Sequence, residues 1–334
     1  MIHKYWRLSI TLIGLIPVND RFWVKLWFRI NQKILLMPMF PDFLPKLTAS
    51  LTESTSISFA QSIQSKSILT SLIPQPINTT FLSKGQGGTP ILLLHGFDSS
   101  IFEFRRLSPL LATQNETWAV DLLGFGFTDR LLNLKFNPET IATHLYYFWK
   151  SLIDRPVILV GASMGGAAAI DFTLTHPEVV QKLVLIDSAG IKNNPIISKF
   201  IFPPLDYFAT EFLRRPQVRE NISRSAYFDK SFASSDANIC TRLHLEMPRW
   251  NQALISFTKS GGYGNVQQKL HLIQQQTLIL WGKNDNILGI GDADKFKKAI
   301  PNSQLIWIPN CGHVPHLEKS QVTANYILDF IREK

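Results

Sequence analysis

The chain has 334 residues, of which 45% are hydrophobic and 18% are charged. This length and composition allow one large α/β domain with a lid or two modest domains, and they exclude global disorder. Only two cysteines occur, Cys240 and Cys311, which excludes a disulfide framework and a cysteine-based zinc site. Such low cysteine use favours a reducing compartment, so we predict a cytoplasmic protein.

The net charge of +9 is unevenly distributed along the chain. Residues 1–46 contain seven basic and two acidic side chains, which account for +5 of that total. A nucleic-acid-binding protein should carry its basic patch on the folded body instead. We therefore expect no nucleic-acid partner.

The N-terminal segment, residues 1–46, is both basic and aromatic. Its apolar run Leu8–Val18 is shorter than the roughly 20 residues of a membrane-spanning helix. No small-x-small cleavage site follows that run, so secretion is the lesser alternative. From Asn19 to Met37 the chain can form a helix with a cationic stripe and a broad apolar face, as interfacial helices do. The segment predicts either peripheral membrane association or packing of this helix on protein, and both stay open.

The rest of the chain divides into a connector, a core and an insertion. Residues 47–76 are rich in Ser, Thr and Gln and are interpreted as a connector with a weak signal for an edge strand or two. Residues 77–190 and 268–334 alternate helix-length stretches with runs that are apolar throughout, which predicts a doubly wound, mostly parallel α/β sheet. Residues 191–267 break this alternation and are predicted to form an inserted helical lid. The predicted strands are Ile91–His95, Thr117–Asp121, Val157–Val160, Leu183–Asp187, Thr277–Trp281 and Leu305–Ile308.

A Gly-x-Ser-x-Gly motif, Gly161 to Gly165, directly follows the predicted strand Val157–Val160 and precedes a helical stretch. In a strand–turn–helix setting this motif forms a nucleophile elbow, whose flanking positions must be glycine because a Cβ would clash. The turn also places the serine at the positive end of the next helix. We therefore predict Ser163 as a nucleophile.

A second motif, His95-Gly96-Phe97-Asp98, follows the strand that begins at Ile91. Acyl-transfer chemistry needs two preorganised N–H donors for the tetrahedral oxyanion. The backbone N–H groups of Phe97 and Met164 occupy the expected places, after the early strand and after the nucleophile. The side chain of His95 is expected to brace the loop rather than to transfer protons.

Two further loops supply a candidate acid and a candidate base. Asp285 lies just past the strand Thr277–Trp281, and His313 lies just past the last strand, so both fall at the carboxyl edge of the sheet. We prefer His313 over His316 as general base because His313 directly follows Gly312 after the strand. Asp285 is preferred as the orienting acid, although Asp187 also ends a strand and could reach the same histidine.

These motifs resemble the α/β-hydrolase superfamily from about Ile77 to the C-terminus, where the order Ser163, Asp285, His313 is the usual one. The blocks Asp121–Arg130 and Gly312–Glu318 are similar to that family's loop after its fourth strand and to its catalytic-histidine block. The residues Phe102–Arg106 and Phe257–Tyr263 look most like lidded hydrolases of cyanobacterial and plastid type. The resemblance implies a serine hydrolase that needs no metal or organic cofactor. It does not extend to residues 1–46.

The expected activity is cleavage of a carboxylic ester with an apolar or lipid-like acyl group through an acyl-enzyme on Ser163. Carbon–carbon bond hydrolysis of a ring-fission diketone is the alternative, and it needs a cation such as Arg105, Arg242 or Arg249 to bind a substrate carboxylate. A low-turnover ligand-binding protein is a third possibility, which the complete set of three groups disfavours. The lid is rich in aromatic residues, which favours the apolar substrate: Phe200, Phe202, Tyr207, Phe208, Phe212 and Trp250.

Overall fold

The computed structural model describes residues 39–191, 204–264 and 266–333. The predicted interfacial helix of residues 19–37 lies outside these ranges, as do Phe200 and Phe202 of the predicted lid. None of the helices in the described ranges combines the length and the apolar character needed to cross a membrane.

Eight strands form one sheet with the spatial order β1-β2-β4-β3-β5-β6-β7-β8. Strand β2 runs antiparallel to both of its neighbours. The remaining pairings, which connect β4, β3, β5, β6, β7 and β8 in spatial order, are all parallel. The doubly wound, mostly parallel sheet expected from the sequence is confirmed. The strands are β1 (Ile63–Ile68), β2 (Ile77–Lys84), β3 (Ile91–Leu94), β4 (Thr117–Val120), β5 (Val157–Ala162), β6 (Val180–Ile186), β7 (Gln276–Gly282) and β8 (Ser303–Ile308).

The central strands separate two hydrophobic layers. In β3, Leu92 and Leu94 point into one layer, whereas Ile91 and Leu93 point into the other, as the two-residue repeat of a strand requires. All four side chains are fully buried. This explains why the central strands are apolar throughout, because helices cover both faces of the sheet.

Strand β1 lies inside the stretch that the sequence suggested as a connector. It pairs antiparallel with β2, from Ile63 opposite Leu82 to Ile68 opposite Ile77. Only its two terminal side chains are buried, and the four between them are exposed. Such an edge strand carries little hydrophobic pattern, so its pairing is decided by β2 rather than by its own sequence.

Eleven α-helices occur among the described residues. Helix α3 (Pro138–Leu152) begins with a capping box, because the Asn137 side chain accepts the Thr140 N–H and the Thr140 side chain bonds the Asn137 backbone. The helices are α1 (Ser54–Gln61), α2 (Ser108–Leu111), α3 (Pro138–Leu152), α4 (Met164–Thr175), α5 (Leu205–Arg214), α6 (Pro216–Ala226), α7 (Ser235–Cys240), α8 (Trp250–Lys259), α9 (Ala293–Ala299), α10 (Pro315–Glu318) and α11 (Ser320–Arg332).

Helices α5 to α8 lie between β6 and β7, and we call the described residues 204–264 the helical insertion. Its aromatic side chains divide into two groups. Trp250 is buried at the start of α8, whereas Tyr207, Phe208 and Phe212 on α5 are each at least 50% exposed. The insertion is therefore not a simple continuation of the core, since part of its apolar surface faces outward.

Candidate active site

Ser163 sits in the turn between β5 and α4, with φ of 52° and ψ of −119°. This is a strained conformation for a residue with a side chain. A Cβ on Gly161 would lie 2.2 Å from the Gly165 carbonyl oxygen, and one on Gly165 would lie 2.1 Å from the Leu94 carbonyl oxygen. The two glycines of the motif are thus required by close backbone approach, and the turn has the geometry of a nucleophile elbow.

Three residues from separate loops form a continuous hydrogen-bonded chain. Ser163 Oγ is 3.0 Å from His313 Nε2, and His313 Nδ1 is 2.9 Å from Asp285 Oδ2. The other Asp285 oxygen accepts the backbone N–H groups of Ile287 at 2.7 Å and Leu288 at 3.1 Å. The carboxylate therefore orients the ring, and the ring is placed to accept the serine proton.

The charge state of Asp285 fits this arrangement. Burial by itself raises the pKa of the Asp285 carboxyl. The hydrogen bond and charge of His313, together with the Ile287 and Leu288 N–H groups, lower that pKa by more than burial raises it. The net result is a pKa below the usual value for aspartate. Asp285 is thus an anion at neutral pH, as a group that stabilises an imidazolium must be.

The loop that carries His313 is held by the helical insertion. The His313 backbone N–H donates to the Ala226 carbonyl oxygen over 2.7 Å at the end of α6. Glu318 accepts from Gly312 N on one side at 2.8 Å and from Asp229 N on the other at 2.6 Å. The insertion and the last strand of the sheet therefore position the histidine together.

Asp187, the alternative acid, lies beside the hydrogen-bonded residues Ser163, His313 and Asp285 but does not bond His313. One oxygen each of Asp187 and Asp285 and one ring nitrogen of His313 lie within 4.8 Å of one another. Asp187 Oδ1 accepts the Gly282 N–H at 3.0 Å, and its Oδ2 has no hydrogen-bond partner among the described residues. Burial, and then the neighbouring Asp285 charge, raises the pKa of Asp187 well above its ordinary value. Burial and the neighbouring charge therefore favour the protonated form of Asp187, in contrast to Asp285.

His316, the alternative base, lies in the wall of the site rather than beside Ser163. Its ring is 2% exposed and packs on Phe104, and its Nε2 is 3.8 Å from Glu103 Oε2. Burial lowers the pKa of His316 from 6.5 to about 3. A neutral, enclosed imidazole in this position does not reach the serine.

The two predicted oxyanion donors flank the elbow. Met164 is the first residue of α4, so its N–H has no acceptor within the helix. Within the described ranges, neither the Met164 N–H nor the Phe97 N–H donates to another residue. The preceding Gly96 N–H donates to Glu103 Oε2 over 2.8 Å, which anchors the loop that carries Phe97. Glu103 was not recognised from the sequence as part of the site.

His95 braces the same loop, as expected. Its Nε2 accepts the Leu122 N–H at 3.1 Å, so Nδ1 carries the proton and donates to the Gly96 carbonyl oxygen at 2.8 Å. The ring is fully buried, and burial lowers the pKa of His95 to about 3. His95 is therefore a neutral structural group.

Ser163 and His313 open into a cavity of about 260 Å³. Its walls combine residues of the sheet loops with residues of the insertion, and they include the apolar side chains of Phe102, Ile222 and Leu317. Arg105 also lines the cavity and is 2% exposed. Within the described residues, Arg242 and Arg249 do not line it.

Comparisons with known proteins bear on the fold family of this polypeptide. Residues 89–320 match the family model described as alpha/beta hydrolase fold. The chain is 34% identical over 304 residues to the alpha/beta hydrolase domain-containing protein VTE7 of Arabidopsis thaliana, covering 88% of this chain and 91% of that protein.

Two more distant relatives carry names that state an activity. The 2-hydroxy-6-oxo-6-(2'-aminophenyl)hexa-2,4-dienoic acid hydrolase of Metapseudomonas resinovorans is 29% identical, over 77% of this chain and 89% of its own. Lipase 1 of Psychrobacter immobilis is 25% identical, over 71% of this chain and 75% of its own. The names of these two relatives state different hydrolytic activities.

Proposed function

Because the chain belongs to the alpha/beta hydrolase fold family, we propose that it is a serine hydrolase that cleaves a carboxylic ester with an apolar or lipid-like acyl group. The observation that carries this proposal is the chain of hydrogen bonds from Ser163 Oγ through His313 to Asp285, with distances of 3.0 Å and 2.9 Å. Ser163 and His313 both line the cavity of about 260 Å³. The three residues together supply a nucleophile, a base and an anion in the order that acyl transfer requires.

The reaction follows from these positions. His313 Nε2 takes the Ser163 hydroxyl proton as Oγ attacks the ester carbonyl carbon, and Asp285 stabilises the imidazolium that forms. The N–H groups of Phe97 and Met164 donate to the oxyanion. Collapse of the tetrahedral intermediate breaks the ester bond, and His313 returns the proton to the leaving alcohol. Water, deprotonated by His313, then attacks the acyl-enzyme and releases the acid.

The preference for an apolar acyl group rests on the cavity walls. Phe102, Ile222 and Leu317 line the space next to Ser163. Burial of apolar substrate surface against such side chains contributes about 25 cal/mol per Å². A hydrocarbon chain is therefore a better occupant than a charged one for most of the cavity.

The test is hydrolysis of a panel of nitrophenyl esters by the wild type and by Ser163→Ala. We expect kcat to fall by at least about 10⁴-fold in the variant, because the nucleophile is lost. Ser108→Ala is the matched control: its hydroxyl is buried and has no hydrogen-bond partner within the described ranges. Its activity should match the wild type. Equal rates from the wild type and Ser163→Ala would end the proposal.

A second candidate is carbon–carbon bond hydrolysis of a ring-fission product, favoured by Arg105. Its guanidinium lines the cavity, and its Nη1 donates to the Phe102 carbonyl oxygen at 3.3 Å. Substrates of this class carry a carboxylate, and the similarity to a dienoic acid hydrolase points the same way. Assaying a ring-fission product beside the ester panel separates the two reactions, since turnover of the esters alone would exclude this candidate.

A further inference from the structure

A buried carboxylate connects the oxyanion loop to the helical insertion. Asp98 accepts hydrogen bonds from Arg219 Nη2, from His244 Nε2 at 3.2 Å and from Trp250 Nε1 at 2.7 Å. Asp98 is 7% exposed, Arg219 is 6% exposed and His244 is fully buried. The four side chains therefore form one enclosed polar cluster.

The donors come from three elements of the insertion, whereas the acceptor belongs to the sheet. Arg219 lies on α6, His244 lies in the 3₁₀ helix Leu243–Glu246, and Trp250 begins α8. Asp98 is the residue immediately after Phe97, and its backbone has a positive φ of 50°. The side chain that these three donors bind is thus one peptide away from a proposed oxyanion donor.

The physical chemistry of a buried anion makes this connection stiff. Removing an ionised carboxylate from water is unfavourable unless charged and hydrogen-bonding partners replace the solvent. Arg219 supplies the opposite charge, and Trp250 and His244 supply further donors. Separation of the insertion from the loop would leave both Asp98 and Arg219 without these partners. The two parts therefore keep one relative arrangement.

On the other side, the same loop is anchored by Glu103. The Gly96 N–H donates to Glu103 Oε2, and a Cβ built on Gly96 would lie 3.1 Å from Glu103 Oε1 and 3.4 Å from the Ser163 Cβ. Gly96 is therefore held directly against the elbow. Asp98 fixes the opposite end of the Gly96–Asp98 segment, and the Phe97 N–H lies between the two anchors.

We propose that Asp98 is a positioning residue for the oxyanion hole: its bonds to Arg219, His244 and Trp250 hold the Phe97 N–H in place, so that the hole is complete only while the helical insertion is docked. This inference rests on the proposed function of Ser163 as a nucleophile. Asp98 acts through the backbone of Phe97 and does not exchange protons with the substrate. The insertion then takes part in transition-state stabilisation as well as in forming the cavity wall.

The experiment measures how fast a fluorophosphonate probe labels Ser163, together with kcat and KM for a nitrophenyl ester. Phosphonylation builds negative charge on an oxygen that must occupy the oxyanion hole, so its rate reports the hole without knowledge of the natural substrate. Displacing one donor by about 1 Å lowers such rates by ~10²-fold. We expect Asp98→Ala to slow labelling and kcat by ten- to a hundredfold, with KM changed less than threefold.

Single-donor variants test the cluster when Asp98→Ala folds poorly. Trp250→Phe keeps an aromatic side chain at this position and removes the indole N–H donor, so it should slow labelling less than Asp98→Ala does. Combined with Asp98→Ala, it should add little, because that change already removes the carboxylate that accepts the Trp250 N–H. Additive losses in the double variant would contradict a shared role.

The control is Asp236→Asn, another buried carboxylate of the insertion. Asp236 accepts from Thr52 N at 2.9 Å, Thr52 Oγ1 at 2.8 Å and Glu53 N at 2.9 Å, away from the oxyanion loop. Asp236→Asn should lower the melting temperature and leave the labelling rate per folded molecule unchanged. Asp98 variants that lose only melting temperature, like this control, would overturn the positioning role. A wild-type protein that fails to label would overturn the proposed function and the positioning role together.

Discussion

The loops of the sheet and the helical insertion contribute to the same cavity in different ways. Ser163, Asp285 and His313 follow β5, β7 and β8, which are parallel strands of one sheet, so the backbone of the sheet places them. The insertion contributes cavity walls and contacts that reach the sheet loops, among them those of Ala226 with His313, of Asp229 with Glu318 and of the three donors with Asp98. The reacting groups thus depend on the sheet, whereas their final alignment depends on contacts that cross to the insertion.

The largest expected effect distinguishes Asp285 from Asp187, the two acids on the loops of the sheet. We expect Asp285→Asn to lower kcat by about 10⁴-fold, because the amide cannot hold the required tautomer of His313. Asp187→Asn should lower kcat by less than about tenfold, since an amide oxygen can still accept the Gly282 N–H and no bond to His313 is lost. Steady-state kinetics on one ester measure both. A loss in Asp187→Asn as large as in Asp285→Asn would place the working acid after β6.

A smaller effect concerns acid stability, which should come mainly from the sheet half. Burial lowers the pKa of His95 and His316 to about 3 and that of His144 to about 4, from 6.5. The unfolded chain binds these protons first as the pH falls. The contribution of these histidines to stability is therefore present above pH 6.5 and is lost from pH 6.5 down to about 4 for His144 and to about 3 for His95 and His316. In the insertion, burial lowers the pKa of His244 too, but the facing Asp98 carboxylate opposes that effect.

His144→Gln tests this difference away from the site. His144 lies on α3, outside the cavity, and its Nε2 is hydrogen-bonded to Thr79 Oγ1 at 2.8 Å. At pH 5 a single such histidine lowers the free energy of unfolding by about 2 kcal/mol. Urea unfolding at pH 7.5 and 5 should therefore show a loss about 2 kcal/mol smaller in the variant. The control is His271→Gln, which makes the same exchange at an exposed position. An unchanged loss in His144→Gln would contradict the assignment.

The smallest expected effect tests whether the sheet and the helical insertion unfold together. Asn137 caps α3 beside the sheet, and Ser234 caps α7 in the insertion by accepting the Ala237 N–H at 3.2 Å. Either substitution by alanine should lower the global free energy of unfolding by about 1 kcal/mol. We expect both losses, because Asp236 bonds the insertion to Thr52 and Glu53 before the first strand. Faster local amide exchange with unchanged global stability in Ser234→Ala would show that the insertion unfolds separately.

The central strands of the sheet and the turn that carries Ser163 could largely be predicted from the sequence. The elbow around Ser163 is recognisable because only glycine tolerates the close backbone approach on either side, and the central strands are recognisable because both of their faces are buried. Strand β1 was only weakly indicated, since an exposed edge strand has no such pattern. Glu103 carried no signal of its own, because its role depends on a backbone N–H of a neighbouring loop.

Local sequence chemistry thus determined the fold class and the candidate nucleophile, base and acid, because a tight turn and a doubly covered strand each demand particular residues within a few positions. The sequence only favoured Asp285 over Asp187, because both follow neighbouring strands, and the tertiary structure alone shows that His313 Nδ1 bonds Asp285. It alone also assembled the cluster around Asp98, whose partners are 121, 146 and 152 residues away. Contacts at such separations depend on how the insertion packs on the sheet, which no local pattern encodes.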